Sequence, residues 1–404
     1  MKKFEVPEHY RSNILGRIKE IRKVNDPRKK DHTPFVFHVG KTEFVIPRHF
    51  GFCYGVENAI EIAFRTVAEN PGKRIFLLGE MIHNPQVNED LISEGIQFLV
   101  DNHGTRLVDF STLSSEDIVI TPAFGTTVEM AAELAQLGVH LERYNTTCPF
   151  VEKVWKRSAE LGNRGYTLVV HGKYLHEETR ATFSHAAETG PVVVVRNRKE
   201  AELLAKYIRK ELSDEQFEID FANKYSSGFV ASRDLQKIGV VNQTTMLASE
   251  TQEIAAYLKD IVVEMYGEEA TTDTRDTLCY ATNDNQNATI GVLESGAQLA
   301  VVVGGFNSSN TIQIATILGE KMPVYFVRNA GDFMSLEKAV VFNSRTMKEE
   351  EIPPSLLQQE NLKIVVTSGA SCPDKIVDHV IQRILELRNE EDSVESALEG
   401  THIK

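Results

Sequence analysis

Cysteine is scarce in this chain, four residues among 404. That excludes a disulfide-stapled secreted scaffold, whose cysteines are dense and even in number. Long apolar runs are missing too, since no stretch reaches the ~18 uncharged residues of a membrane helix. The opening residues, MKKFEVPEHYRSNILGRIKEIRKV, contain no apolar h-region and carry acidic side chains. They read as neither a secretory signal nor a transit peptide. A reducing cytoplasm is the expected compartment, with a plastid stroma as the alternative. Neither a Walker A loop nor G-x-G-x-x-G occurs, so no NTP or dinucleotide is indicated. The net charge of −14 argues against nucleic acid as a partner. That charge is uneven. Residues 1–34 hold ten Lys/Arg against five Asp/Glu, which leaves about −19 on the other 370. A basic segment on an acidic body suits docking of an acidic partner. The plainer reading is a solvated surface helix.

What is present is ordinary globular material, 42% hydrophobic and 25% charged. The length suggests two to four domains at ~100–200 residues each. Six β-branched runs stand out: 75–84, 118–127, 167–176, 238–245, 299–310 and 364–371. Each ends in a cluster of small polar residues, and amphipathic helical patterns mostly separate them. That order predicts parallel α/β structure. Ligands of such sheets bind at the carboxyl ends of strands, where all six polar clusters fall. Residues 209–236 and 345–362 read as insertions, and 389–404 as a frayed polar tail.

The cysteines carry a period. Cys53, Cys148 and Cys279 each precede a helical run, then a strand and a polar cluster at nearly equal distance. His83 follows Cys53 by 30 residues, His176 follows Cys148 by 28, and Ser308 follows Cys279 by 29. Gly125, Thr244 and Ser371 mark a second strand and cluster in each unit, with longer gaps where the insertions lie. The chain therefore reads as three similar α/β domains with mostly parallel sheets around a pseudo-threefold axis. Their expected limits are 45–147, 148–278 and 279–388, after an N-terminal extension of 1–44. Three cysteines and six loops would then meet at one centre. Cys372 breaks the register and reads as a neighbour of Ser371, not a ligand.

Three thiolates without a local C-x₂₋₄-C pair do not make a structural zinc site. A catalytic zinc with three thiolates and a water stays open. An iron–sulfur cluster fits better, and a [4Fe–4S] cluster with three Cys ligands would leave one iron open. Helix N-termini would lower the thiol pKa and favour an anionic cluster. FNSSN (306–310), SGAS (368–371) and His83-Asn84 offer hydroxyls, amides, imidazole and N–H groups suited to phosphate. His176-Glu177-Glu178 and Gln243-Thr244-Thr245 can pass protons.

Eight segments in order then look familiar: GFCYGVENAI, MIHNPQV, TTCPFVEKVW, HGKYLHEET, NQTTM, TLCYATNDNQ, GGFNSSNT and TSGASCPD. From about residue 45 to 385 the chain resembles the 4-hydroxy-3-methylbut-2-enyl diphosphate reductase family, in its longer plant and cyanobacterial branch. The resemblance implies three α/β domains around a central cluster. It also implies the last step of the methylerythritol phosphate route to isoprenoids. There two electrons and two protons remove an allylic hydroxyl, giving isopentenyl and dimethylallyl diphosphates. By motif, Cys53, Cys148 and Cys279 would ligate the cluster, and the substrate hydroxyl would meet the open iron. Glu178 would supply the proton, helped by Thr244 and His176. His83, Ser308, Asn310 and Ser371 would hold the diphosphate, with Ser309 and Gln243 beside it. One position departs from the better-known bacterial pattern, whose AHG becomes Ala123-Phe124-Gly125 here. Phenylalanine donates no hydrogen bond, so Thr126, Thr127, backbone N–H groups or Lys173 would have to compensate. No second redox motif is present, so electrons must come from an external carrier of the ferredoxin or flavodoxin type. Two other readings compete. An iron–sulfur hydro-lyase acting on a small acid predicts arginine-rich carboxylate binding, and the polar loops contain few arginines. A non-enzymatic redox sensor needs no acid–base pair and no diphosphate site.

Overall fold

A computed structural model of the chain describes residues 5–26, 31–271, 277, 279–390 and 394–399. Part of the basic segment and much of the polar tail lie outside that set. The chain opens with helix α1 (Ile14–Asn25) and an antiparallel hairpin of β1 (Phe35–Val39) and β2 (Thr42–Ile46). Then follow α2 (Tyr54–Glu69), β3 (Ile75–Leu77), α3 (Pro85–Ser93), β4 (Gln97–Phe98), β5 (Ile118–Ile120) and α4 (Val128–Gln136). β3 lies between β4 and β5, parallel to both.

The plan repeats. α5 (Pro149–Asn163) leads to β6 (Thr167–His171), α6 (Glu177–Ala187), β7 (Val192–Val195) and α7 (Arg198–Ile208). The short α8 (Asp214–Asp220) and α9 (Ala231–Asp234) occupy the 209–236 insertion, before β8 (Ile238–Asn242) and α10 (Ala248–Tyr266). β6 is central, parallel to β7 and β8. In the third repeat α11 (Tyr280–Ile290) leads to β9 (Leu299–Val303), α12 (Ser309–Leu318) and β10 (Val324–Val327). A hairpin of β11 (Ala339–Asn343) and β12 (Lys348–Ile352) comes next. β13 (Leu362–Ser368), α13 (Asp374–Arg388) and α14 (Val394–Glu399) complete it. β9 is again central, between β10 and β13, and β2 and β1 extend this sheet to five strands.

The six runs of the sequence correspond to β3, β5, β6, β8, β9 and β13. Each trio has a further edge strand, β4, β7 or β10, which the sequence reading passed over. Every residue of β6 and β9 is buried. Continuous apolar strands such as TLVVH and LAVVV are what parallel sheets covered on both faces require.

The described residues fall into two compact units. A terminal unit takes those of 1–57, 83–86 and 280–404, and a middle unit takes 58–82 and 87–279. The described part of the first 44 residues is not a detached arm. Ile14, Leu15 and Ile18 of α1 are buried in the terminal unit's core with Phe37, Phe44, Val380 and Ile381. Burying each such side chain stabilises by roughly 1.5–3 kcal/mol. Asp378 of α13 fixes the start of α1. It accepts hydrogen bonds from Ser12 Oγ (2.6 Å) and from the N–H groups of Asn13, Ile14 and Leu15 (2.9–3.1 Å). A carboxylate from another helix thus takes up N–H groups that a helix start leaves open. Among the described residues no helix is long and apolar enough to cross a membrane.

Candidate functional site

The three registered cysteines share one local setting. Cys53 stands directly before α2, Cys148 is the N-cap of α5 ahead of Pro149, and Cys279 stands directly before α11. Proline in the first helical turn needs no N–H, which makes it a natural starter. The N–H of Cys53 donates to Ala370 O at 3.3 Å, and that of Cys148 to Ala123 O at 3.0 Å. Thr277, two residues before Cys279, donates its hydroxyl to the buried Asn242 Oδ1 at 2.7 Å. None of the four cysteines forms a disulfide. Three thiols at helix N-termini suit thiolate ligation, because the helix dipole stabilises the anion. Cys372 does not join them. It is fully buried in the apolar core of the terminal unit, and burial pushes its thiol well above the usual range. It lies in the loop between β13 and α13, as the polar TSGASCPD run predicts, with its side chain buried in the core.

In the terminal unit the structure draws His83, Ser308, Asn310 and Ser371 into one network. Ser308 caps α12, and its Oγ lies 3.2 Å from Ser371 Oγ. Ser371 Oγ donates to His83 O at 3.2 Å, and Thr311 Oγ1 donates to Ser308 Oγ at 2.9 Å. Asn310 Oδ1 accepts the Ala370 N–H at 2.8 Å, while Ala370 O receives the N–H of Cys53. Asn310 Nδ2 is buried and has no hydrogen-bond partner among the described residues. A buried donor left unmade costs about 1–3 kcal/mol, which a bound anion would recover. Ser309, the first residue of α12, is also buried.

In the middle unit the acid–hydroxyl pair forms. Glu178 Oε1 accepts the Thr244 N–H at 2.5 Å, and Oε2 accepts the Thr244 hydroxyl at 3.0 Å. Glu178 is 1% exposed. His176 caps α6, its Nδ1 accepting the Glu178 N–H at 3.2 Å. Accepting through Nδ1 selects the neutral tautomer with its proton on Nε2. Gln243 locks the neighbouring loops together. Its Oε1 receives the Lys173 N–H and Thr179 Oγ1, each at 3.1 Å, and its Nε2 donates to Thr245 Oγ1 at 2.6 Å. Phe124 meets His176 edge to face, ring centroids 5.5 Å apart, so it buttresses the imidazole. A Cβ on Gly125 would lie 2.3 Å from the Trp155 ring, and Gly125 also has φ +78°. Only glycine tolerates both. Thr127 caps α4 and is committed to the Met130 N–H. Burial and then Arg196 hold the Lys173 ammonium below its ordinary pKa.

The sequence reading missed Asn242, Thr179 and Thr311, which brace these loops from behind. A glycine four residues before each cap, Gly172 and Gly304, was the available signal. A Cβ there would lie 2.6 Å and 2.8 Å from the hydroxyls of Thr179 and Thr311. The spacing also paired Thr244 with Ser371. Counted from the strand ends, the partner of Thr244 is Ala370, since each is the second residue past its strand.

Residues 45–385 match the family model described as LytB protein. The chain is 33% identical over 383 residues to the 4-hydroxy-3-methylbut-2-enyl diphosphate reductase of Prochlorococcus marinus (strain AS9601), covering 94% of this chain and 92% of that one. It is 39% identical over 355 residues to the reductase of the same name from Synechococcus sp. (strain RCC307), covering 86% and 84%. Among solved structures, the E-1-hydroxy-2-methyl-but-2-enyl-4-diphosphate reductase of Plasmodium falciparum is similar, with a TM-score of 0.59 at 19% identity, covering 84% of this chain and 87% of that one. A structure of (E)-4-hydroxy-3-methyl-but-2-enyl diphosphate reductase, the terminal enzyme of the non-mevalonate pathway, gives 0.52 at 21%, covering 86% and 100%. These two likenesses carry the fold. With eight ordered motifs inside the matched span, the chain belongs to the LytB family of 4-hydroxy-3-methylbut-2-enyl diphosphate reductases.

Proposed function

We propose that this chain reductively removes the allylic hydroxyl of (E)-4-hydroxy-3-methylbut-2-enyl diphosphate, giving isopentenyl and dimethylallyl diphosphates. Two electrons and two protons enter, and the hydroxyl leaves as water. One observation favours this over a hydro-lyase. The hydroxyls, amides and the Asn310 Nδ2 at the α12 start, partnerless among the described residues, suit a diphosphate better than a small carboxylic acid.

Cys53, Cys148 and Cys279 fit a [4Fe–4S] cluster, being three thiols at helix N-termini and outside any disulfide. When bound, the cluster supplies electrons and a Lewis-acidic iron. The remaining steps belong to the chain's own residues. His83, Ser308, Asn310 and Ser371 hold the diphosphate, with Ser309 and Gln243 beside it. The diphosphate does not react, so its binding energy goes into orienting the allylic end. Glu178 supplies the transferable proton; its Oε2 accepts the Thr244 hydroxyl at 3.0 Å, so the pair relays a proton once that hydroxyl turns to accept from a protonated Glu178. His176 presents a neutral Nε2–H. The electrons come from outside, from a carrier of the ferredoxin or flavodoxin type.

The decisive experiment uses anaerobically purified, brown protein with dithionite and the allylic diphosphate. Formation of both isoprenyl diphosphates is expected. A brown protein that binds the substrate and leaves it unreduced would sink the reading.

A further inference from the structure

We propose that the outer face of α1 is the seat of the electron carrier, an acidic redox protein. The inference rests on the reading that Cys53 holds part of the cluster. Its grounds are the contacts between α1 and the cysteine loop. Lys19 of α1 sits over the Phe50 ring, 4.8 Å from its centroid, and pairs with Asp374 at 2.6 Å. Between them runs Gly51, where a Cβ would lie 2.0 Å from Asp374 Oδ1 and 3.3 Å from Lys19 Nζ. Just before α1, Tyr10 packs edge-on against Phe52, ring centroids 5.9 Å apart. Phe50, Gly51 and Phe52 are the three residues directly ahead of Cys53. The helix therefore lies against the cysteine loop. A carrier on its outer face is separated from that loop by about 10 Å, one helix diameter.

The outer face has the chemistry of a transient electron-transfer contact. Arg17, Glu20, Ile21, Lys23, Val24 and Asn25 line a shallow depression of about 610 Å³. Val24 is 80% exposed at its edge, and Arg17 and Lys23 are exposed. An apolar spot beside exposed Lys23 and the Arg17–Glu20 ion pair, 3.4 Å apart, is a small polar-rimmed contact, the kind such encounters use. The sign fits at the level of the sequence, where residues 1–34 hold ten Lys/Arg against five Asp/Glu, five of those cations lying outside the described residues, and the remainder carries about −19. An acidic carrier is repelled by the body and drawn to this segment. Each docking oxidises one carrier by one electron, and two dockings supply the two electrons of one turnover.

The test is the double charge reversal Arg17→Glu with Lys23→Glu in the full chain. Both side chains point away from the core that Leu15 and Ile18 enter. Turnover is driven in parallel by a reduced plant-type [2Fe–2S] ferredoxin and by dithionite. Expected is a roughly tenfold fall in ferredoxin-driven kcat/KM, with a flattened salt dependence. The dithionite rate and the iron content stay unchanged. The reversal Lys199→Glu with Lys206→Glu on α7 leaves both rates intact. An unchanged ferredoxin-driven rate overturns the proposal and leaves the reductase reading standing. An equal fall with both reductants overturns it as well, because the loss is then structural. No turnover by the wild-type chain with either reductant removes the reductase reading itself.

Discussion

The second and third repeats use one scaffold for two chemistries. In each, the central strand ends at a glycine, and four residues later a side chain caps the next helix, His176 in one and Ser308 in the other. The second residue of that helix, Glu178 or Asn310, accepts the backbone N–H of the second residue beyond the third strand. The donor is Thr244 in one case and Ala370 in the other. A threonine one position further on, Thr179 or Thr311, braces the turn. The geometry is shared, and what differs is a carboxyl group against a carboxamide. The first can carry a proton, while the second offers a fixed neutral donor. A parallel sheet supplies equivalent slots at its strand ends, and substitution within a slot changes the chemistry without changing the frame.

If the slots are equivalent, variants that keep the shared hydrogen bond and alter only the chemistry should separate the two repeats. The largest effect belongs to Glu178→Gln. The amide still accepts the Thr244 N–H, so folding and cluster colour persist, but the transferable proton is gone. We expect kcat to fall about 10²–10⁴-fold with KM little changed, read from dithionite-driven turnover. Full activity would remove Glu178 from the proton path.

Next in size is a pH effect confined to the second repeat. His171 ends β6 where Val303 ends β9, and burial pulls its pKa from 6.5 to about 4. Between those values the unfolded chain binds the extra proton, so stability falls as pH drops from 6.5 toward 4 and is unaffected above about 7. The loss amounts to about 3 kcal/mol at the bottom of the window. It should appear in urea midpoints and flatten in His171→Asn.

The smallest effect is expected for Asn310→Asp, the mirror of the glutamate variant. Its carboxylate still accepts the Ala370 N–H but replaces a donor with a charge facing a polyanion. KM for the diphosphate should rise about 10–100-fold, with kcat and iron content nearly unchanged. An unaltered KM would break the assignment of this slot to the diphosphate.

Much of this was legible in the chain itself. The cysteine period and the six strand-ends marked the repeats, because a parallel strand covered on both faces must be a short apolar run and its helix must start on a capping residue. His176 and Ser308 are such caps. Legibility stopped where the decisive partner is distant in sequence. Nothing local reveals that Asp378 would fix the start of α1, 363 to 366 residues away. The N-terminal segment therefore read as a basic arm when its apolar side is core. Cys372 was hidden for the same reason, since its polar neighbours face the loop while its thiol enters the apolar core.

Sequence alone determined the three repeats, their six polar-ended strands and the residue types in each loop, since these follow from periodicity and capping preference. The tertiary structure decided the pairings: Glu178 with Thr244, Asn310 with Ala370, Cys53 with the loop of β13, and α1 with the residues ahead of Cys53. Those contacts close between segments tens to hundreds of residues apart. They are set by how strands align and helices pack, which no local pattern encodes.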